Sequence, residues 1–250
     1  MIKLVCLNVE RSKHLDRIAP FLEEQKPDVL CLQELVEDDI PFFERLAGPC
    51  AIYVKNSLHQ ADPPREGFVI DCDGIFTRLP VIARDSTLYA GITGTVPTQS
   101  VDEKGNPLQR PNRWLTRVVV GKAGEQYCIG TVHFTWTPKA AVTDEQRHDM
   151  RELLRILSSF DDFVLCGDLN APRGGEIFAM LAEKYKDDIP ERYTTSIDVN
   201  LHRAGKIPSE HMDQKMVDGL FSTPEYIVSE VELHIGVSDH MAITATIGKA

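Results

Sequence analysis

The chain has 250 residues, 42% of them apolar and 26% charged, and its 27 basic against 38 acidic side chains leave a net charge of −11. That length suits one large domain or two small ones, and the composition excludes a largely disordered or collagen-like chain. No window approaches the run of about 18 apolar residues that a membrane helix needs, and the acidic balance excludes a general duplex-DNA coat while leaving room for a local basic groove.

Taken in chain order, short apolar runs rich in Val, Ile and aromatics predict strands. They lie at Ile2–Leu7, Val29–Leu32, Cys50–Val54, Leu115–Val120, Tyr127–Val132, Phe163–Cys166, Met216–Phe221, Ile227–Ile235 and Ala242–Ile247. Lys122-Ala123-Gly124-Glu125 reads as the turn of a hairpin. Between the strands, Ser12–Gln25 carries Leu15, Ile18 and Leu22 on one helical face, with Pro20 expected to kink it or delay its start. Asp39–Leu46 is a shorter helix with Pro41 in its first turn. Thr143–Ser159 is the clearest helix: Thr143 and Gln146 have capping-box spacing, and Met150, Leu153, Leu154 and Leu157 form one apolar stripe. Gly175–Lys184 reads as a fourth helix.

The stretch Asn56–Asn112, with Ala61–Gly67 and Pro97–Pro111 rich in Pro, Gly and charge, reads as long surface loops around weaker strands near Gly67–Ile70 and Leu79–Tyr89. Asp187–Gln214 also reads as loop. No repeat or linker divides the chain, so residues 1–250 are expected to form a single α/β domain. Its start lacks a secretory pattern, which makes a cytoplasmic location the expectation. None of the six cysteines forms a C-x-x-C pair, and Cys6, Cys31, Cys128 and Cys166 sit in apolar runs, as reduced core thiols do.

The chemistry lies where apolar runs give way to polar residues of one kind. Ile2–Leu7 ends at Asn8; Val29–Leu32 at Gln33-Glu34; Tyr127–Val132 at His133; Phe163–Cys166 at Gly167-Asp168-Leu169-Asn170. Met216-Val217 runs into Asp218, and Val237 into Ser238-Asp239-His240. One such residue is ordinarily a cap or turn former. A set of them at strand ends implies a cleft where carboxylates crowd, and crowding of that kind calls for a cation. Oxygen donors with Asn and no Cys suit Mg²⁺ or Mn²⁺ better than zinc.

These blocks, in this order from residue 7 to residue 240, resemble the endonuclease/exonuclease/phosphatase superfamily: Leu7-Asn8-Val9-Glu10, Leu32-Gln33-Glu34, Thr131-Val132-His133, Gly167-Asp168-Leu169-Asn170 with Pro172, Val217–Phe221, and Ser238-Asp239-His240. The resemblance implies a four-layer α/β/β/α sandwich of two mixed sheets, DNase I-like, and a metal-dependent phosphoesterase. By the same resemblance Glu34 is the principal metal ligand, with Asn8 and Asp239 near it and Glu10 in support. Asp168 would activate the attacking water, Asn170 would hold it or a phosphoryl oxygen, and His240 would face the phosphate with Asp218 fixing its tautomer. His133 would donate to the phosphate or the leaving group.

The substrate is less legible. His133 stands where apurinic endonucleases carry Tyr, and Ser-Asp-His-Met-Ala lacks the Pro of inositol 5-phosphatases. No hairpin of exposed aromatics suggests membrane insertion. A phosphodiester in short or single-stranded nucleic acid is the expected substrate, and a monomer the expected state. A small metabolite or lipid head group, and a silent binding domain on the same fold, are the alternatives. Trp114 and Trp136 are read as core or substrate-stacking residues, and Arg110 and Arg113 as phosphate-binding or merely solvated. His14, His59, His148, His202, His211 and His234 match no motif and are read as ordinary surface or packing residues.

Overall fold

The computed structural model describes residues 1–63, 65–99, 109–207 and 211–250. In chain order it contains β1 (Ile2–Asn8), α1 (Leu15–Gln25), β2 (Val29–Val36), α2 (Ile40–Ala47), β3 (Cys50–Gln60), β4 (Phe68–Thr77), β5 (Val81–Ala90), β6 (Arg113–Lys122) and β7 (Glu125–His133). There follow α3 (Asp144–Leu157), β8 (Val164–Asp168), α4 (Glu176–Ala182), β9 (Lys186–Asp187), β10 (Asp218–Ser222), β11 (Tyr226–His234) and β12 (Ala242–Lys249).

The strands form two six-stranded sheets, ordered β11-β12-β1-β2-β4-β3 and β5-β6-β7-β8-β10-β9. Both are mixed. At the centre of each lies one parallel pair, β1 with β2 and β7 with β8, and the other pairings are antiparallel. A parallel pair needs a crossover, and α1 and α3 supply them. The two halves are thus built alike, and each brings two strand C-termini to one edge.

Side-chain alternation explains the layers. In β1, Leu4 and Cys6 point into the space between the sheets, against Val118, Ile129 and Cys166. Val5 and Leu7 point outward, onto Ile18 and Leu22 of α1 and Phe43 of α2. The second sheet packs its outer face on Met150, Leu153 and Leu157 of α3 and on Ile177, Phe178 and Leu181 of α4. Strands covered on both faces read as unbroken apolar runs, which is why the central ones were plain in the sequence. The result is the expected α/β/β/α sandwich with two mixed sheets. All six cysteines are free thiols, five of them buried.

Local signals hold in detail. Thr143 caps α3 by accepting from the Gln146 backbone N–H at 3.2 Å. The Gln146 side chain does not reciprocate; it donates to the Thr135 carbonyl at 2.8 Å instead. The β6–β7 hairpin turns through Ala123 (φ 53°) and Gly124 (φ 85°), both left-handed as a type I′ turn requires. Pro20 lies inside α1 without ending it.

The expectation of long loops across 56–112 is corrected. β3 continues to Gln60 and pairs along its length with β4, which reaches Thr77, while β5 (Val81–Ala90) falls on the strand expected near Leu79–Tyr89. The physical reason is that buried polar residues, Asn56, Ser57, Asp71 and Asp73, interrupt what would otherwise read as strand. Residues 64 and 100–108 of the expected loops lie outside the described residues. The segment 187–214, with residues 208–210 outside the described ones, is tied down: Ile197 bridges to His240, and Asp198 accepts from the Gly236 N–H at 2.6 Å.

Candidate active site

Four parallel-strand ends and the starts of two antiparallel neighbours meet at one edge of the sandwich. Asn8 closes β1 opposite Gln33, and His133 closes β7 opposite Asp168, the last residue of β8. Asp218 opens β10, also opposite Asp168, and His240 stands just before β12. Glu34 is not at a strand end, as the sequence suggests, but inside β2. The register with β4 shifts between Leu32 and Leu35, and Glu34 takes φ 54°. Such a bulge turns one side chain out of the alternation, and here it turns Glu34 toward Asn8.

All nine residues singled out in the sequence gather here. The Asn8 amide donates to Glu34 Oε1 and to Asp168 Oδ2, each at 3.2 Å, and its Oδ1 accepts from the Glu10 N–H at 3.1 Å. Asp168 Oδ2 also faces His133 Nε2 at 3.6 Å and His240 Nε2 at 3.9 Å. Its Oδ1 accepts from the Asn170 N–H at 2.7 Å, and the Asn170 amide donates to the Phe134 carbonyl at 3.0 Å. His240 Nδ1 and Asp218 Oδ2 are 2.8 Å apart. Glu10, Glu34 and Asn170 hold positive φ, at 45°, 54° and 48°. Left-handed backbone costs a non-glycine residue about 1–3 kcal/mol and concentrates where geometry is functional.

The electrostatics divide the site in two. Burial pushes Asp168 up to about 7, helped by Asp218 and Glu34 and opposed by His240. Burial likewise brings Asp239 up to about 6. Burial alone would lower His240, but the carboxylates of Asp218 and Asp168 outweigh it and hold the imidazole well above the usual histidine range. His133 goes the other way, down to about 3, because it is buried and the Arg113 guanidinium lies near. One imidazole is therefore charged and the other neutral at pH 7. Glu34 is held below the usual range although burial opposes it, with His133, Arg11 and the Asn8 amide on the other side of the balance.

Several residues here escaped the sequence reading. Asp73 Oδ1 lies 3.8 Å from His133 Nδ1, a facing pair too long for a hydrogen bond. Burial pushes Asp73 up to about 7, and neighbouring Asp71 is also raised. Two aspartates two residues apart in the run Val69–Phe76 were the available signal, since that spacing puts both on one strand face. Arg113 is buried at the start of β6 rather than in a loop, and donates to the His133 carbonyl at 3.1 Å. Arg110 instead reaches Asp149 and Glu145 at 2.5 and 2.7 Å.

Three histidines that match no motif also lie among the charges of the site. His14 Nε2 lies 2.9 Å from Glu10 Oε2. His202 Nε2 lies 4.0 Å from Asp239 Oδ2, its ring 6.5 Å from that of His240. His59 is lowered to about 4 by burial and by Arg11 and Arg113. Trp136 is 45% exposed and Trp114 half-buried, so neither is wholly core.

The model of the Endonuclease/Exonuclease/phosphatase family matches residues 6–240, and the chain belongs to that family. Its members are phosphoric ester hydrolases, generally dependent on a divalent cation. Similar solved structures include an endonuclease/exonuclease/phosphatase from Beutenbergia cavernae, 16% identical with TM-score 0.71, covering 100% of this chain and 72% of that one. A mannosyl-6-phosphatase from Bacteroides thetaiotaomicron is 12% identical with TM-score 0.62, covering 99% of this chain and 100% of that one. The human Nocturnin catalytic domain with bound sulfate is 15% identical with TM-score 0.61, covering 100% and 94%. At these identities the likeness shows the fold alone, the DNase I-like sandwich. No curated protein matches the chain in sequence. Among the described residues no helix is long and apolar enough to cross a membrane.

Proposed function

We propose that residues 1–250 act as one catalytic domain that hydrolyses phosphodiester bonds with a divalent cation, using water activated by Asp168. The observation that carries this reading is the position of Asp168 Oδ2: within 4 Å of the imidazoles of both His133 and His240 and hydrogen-bonded to Asn8, which also binds Glu34. The donor set fits Mg²⁺ or Mn²⁺. Asn8, Glu34, Asp239 and Glu10 offer oxygens, and burial has pushed Asp168 and Asp239 up in a way that a nearby dication would reverse. The cation, when bound, supplies Lewis-acid neutralisation of charge on the phosphoryl group.

The remaining chemistry belongs to the chain. Asp168, ionised, takes the proton of a water that Asn170 holds in line. His240, whose Nδ1–H is directed at Asp218, presents Nε2 to the phosphate and stabilises charge as it grows there. Neutral His133 donates a hydrogen bond to a phosphoryl oxygen or the leaving group, with Asp73 facing its other nitrogen. Short or single-stranded nucleic acid is the proposed substrate, and a monomer in the cytoplasm the proposed state.

One observation favours a second substrate class, small phosphate esters. Two cations beside the site are already engaged: Arg11 with Glu34 and Asp62, and Lys13 with Glu10. A polymer would have to draw them away from those partners. Turnover of single-stranded DNA, RNA, bis(p-nitrophenyl) phosphate and a hexose 6-phosphate, with Mn²⁺ and with chelator, separates the classes. Glu34→Ala and His240→Ala are expected to abolish whichever activity is found; full activity in both removes the assignment.

A further inference from the structure

The oxygen donors of the proposed cation site have a nitrogen neighbour that the family motifs do not supply. Glu10, His14 and Asp239 each offer an atom within 4.8 Å of the other two. A cation bound at about 2.0–2.2 Å separates its ligands by roughly 3–4 Å, so these three need little movement to share one. The side chains of Glu10 and His14 are 12% exposed and that of Asp239 9%. His14 is the N-cap of α1, where its carbonyl accepts from Arg17 and Ile18, but its ring makes no capping bond. The ring's Nε2 is instead engaged with Glu10 Oε2 at 2.9 Å, the contact that a shared cation would replace.

The competing partner of Glu10 is Lys13, 2.5 Å from Oε1. It does not block the arrangement. Lys13 uses the other carboxylate oxygen, is 35% exposed, and has Asp62 Oδ1 as a second acid at 3.7 Å. His202 is the informative contrast. Its Nδ1 accepts from the Ala204 N–H at 3.1 Å, which places the proton of the neutral ring on Nε2, the atom facing Asp239. In that tautomer His202 is a hydrogen-bond donor in the site and not a ligand. Among the described residues no donor fixes His14 Nδ1, so that ring can keep its proton on Nδ1 and release Nε2 to a cation.

We propose that His14 Nε2 is a metal ligand, joining Glu10 and Asp239 in a mixed imidazole–carboxylate site that prefers Mn²⁺ or a later divalent ion to Mg²⁺. Imidazole is a good ligand for transition ions and a poor one for magnesium, which keeps oxygen and water. A cation held there would take the place of the hydrogen bond between His14 Nε2 and Glu10 Oε2, whose proton would pass to solvent. The inference rests on the proposed cation-dependent function and is tested apart from turnover.

The measurement is electron spin-echo modulation of bound Mn²⁺, with calorimetric titration of Mn²⁺ and Mg²⁺, on the wild type and on His14→Gln, His14→Asn and His202→Gln. Melts in chelator check that each is folded. The expected result is ¹⁴N modulation in the wild type and in His202→Gln, lost in both His14 variants. Their Mn²⁺ affinity should fall at least about tenfold while Mg²⁺ affinity holds within about threefold. Mn²⁺ bound without ¹⁴N modulation, or modulation kept in the His14 variants or lost only in His202→Gln, overturns the role of His14 and leaves the cation-dependent function standing. Wild type that takes up no Mn²⁺ overturns both.

Discussion

His240 and His133 begin as the same side chain and end in opposite charge states because of what each one faces. Asp218 accepts at 2.8 Å from His240 Nδ1, fixing tautomer and charge together. Asp218→Asn should therefore keep the fold, since the partner position still holds a polar isostere, yet lose the charge that His240 needs. Hydrolysis of bis(p-nitrophenyl) phosphate in Mn²⁺ is expected to fall about 10³–10⁴-fold, the scale seen when a buried His–Asp pair loses its acid. The melting temperature in chelator should move by no more than a few degrees. Asp73→Asn removes a partner that stands 3.8 Å from His133 without a hydrogen bond, and the loss there should be smaller, about tenfold.

At the scale of elements, the site depends on how closely β7 and β8 can run side by side. A Cβ on Gly167 (φ 142°) would lie 1.9 Å from the Val132 carbonyl oxygen, so no other residue fits between β7 and the catalytic end of β8. Gly167→Ala should cost more than about 3 kcal/mol, read as loss of a cooperative melt or of soluble yield. Thr143→Ala removes one capping bond at α3 and should cost only about 1 kcal/mol, a drop of about 2–4 °C by the same measurement. The same elements explain what could be read beforehand. The double-sided strands β1, β2, β7 and β8 and the striped helix α3 declare themselves by apolar pattern, and six of the nine candidate residues lie in or just past those strands, while Asp218, Asp239 and His240 come from β10 and the segment before β12. β3 and β4 did so only in part, because Asn56, Ser57, Asp71 and Asp73 turn polar side chains into the interior and polarity in a strand reads as loop, whereas β5 falls on the expected strand near Leu79–Tyr89. The bulge at Glu34 and the approach of His14, His59 and His202 were equally hidden. They arise from register and from loops folding back, which leave no periodic trace in the chain.

Across the whole molecule, a net charge of −11 is joined to a pocket where carboxylates are buried together, and the two combine into a pH dependence with a definite sign. Asp239, at about 6 in the metal-free fold, has a folded pKa above its unfolded value of about 3.9. Between those values the folded state holds the proton more tightly. The stability that Asp239 contributes is thus fully present below about pH 4 and is lost as pH rises through about 6, at up to about 1.4 kcal/mol per pH unit. Asp168, at about 7, extends the same loss to neutral pH. A divalent cation competes with those protons and stabilises the ionised forms, so its effect on stability must grow with pH. In thermal melts, saturating Mn²⁺ should raise the melting temperature by several degrees at pH 7.5 and by almost nothing at pH 4.5. Asp239→Asn should melt higher than wild type in chelator at pH 7.5, by on the order of 1–3 kcal/mol, because the buried charge is gone. That advantage should vanish at pH 4.5, where wild-type Asp239 is protonated, and the variant should lose most of the Mn²⁺-induced rise. A cation effect equal at both pH values would show that these buried carboxylates do not hold the ion, and the pocket would then have to be read as a structural network.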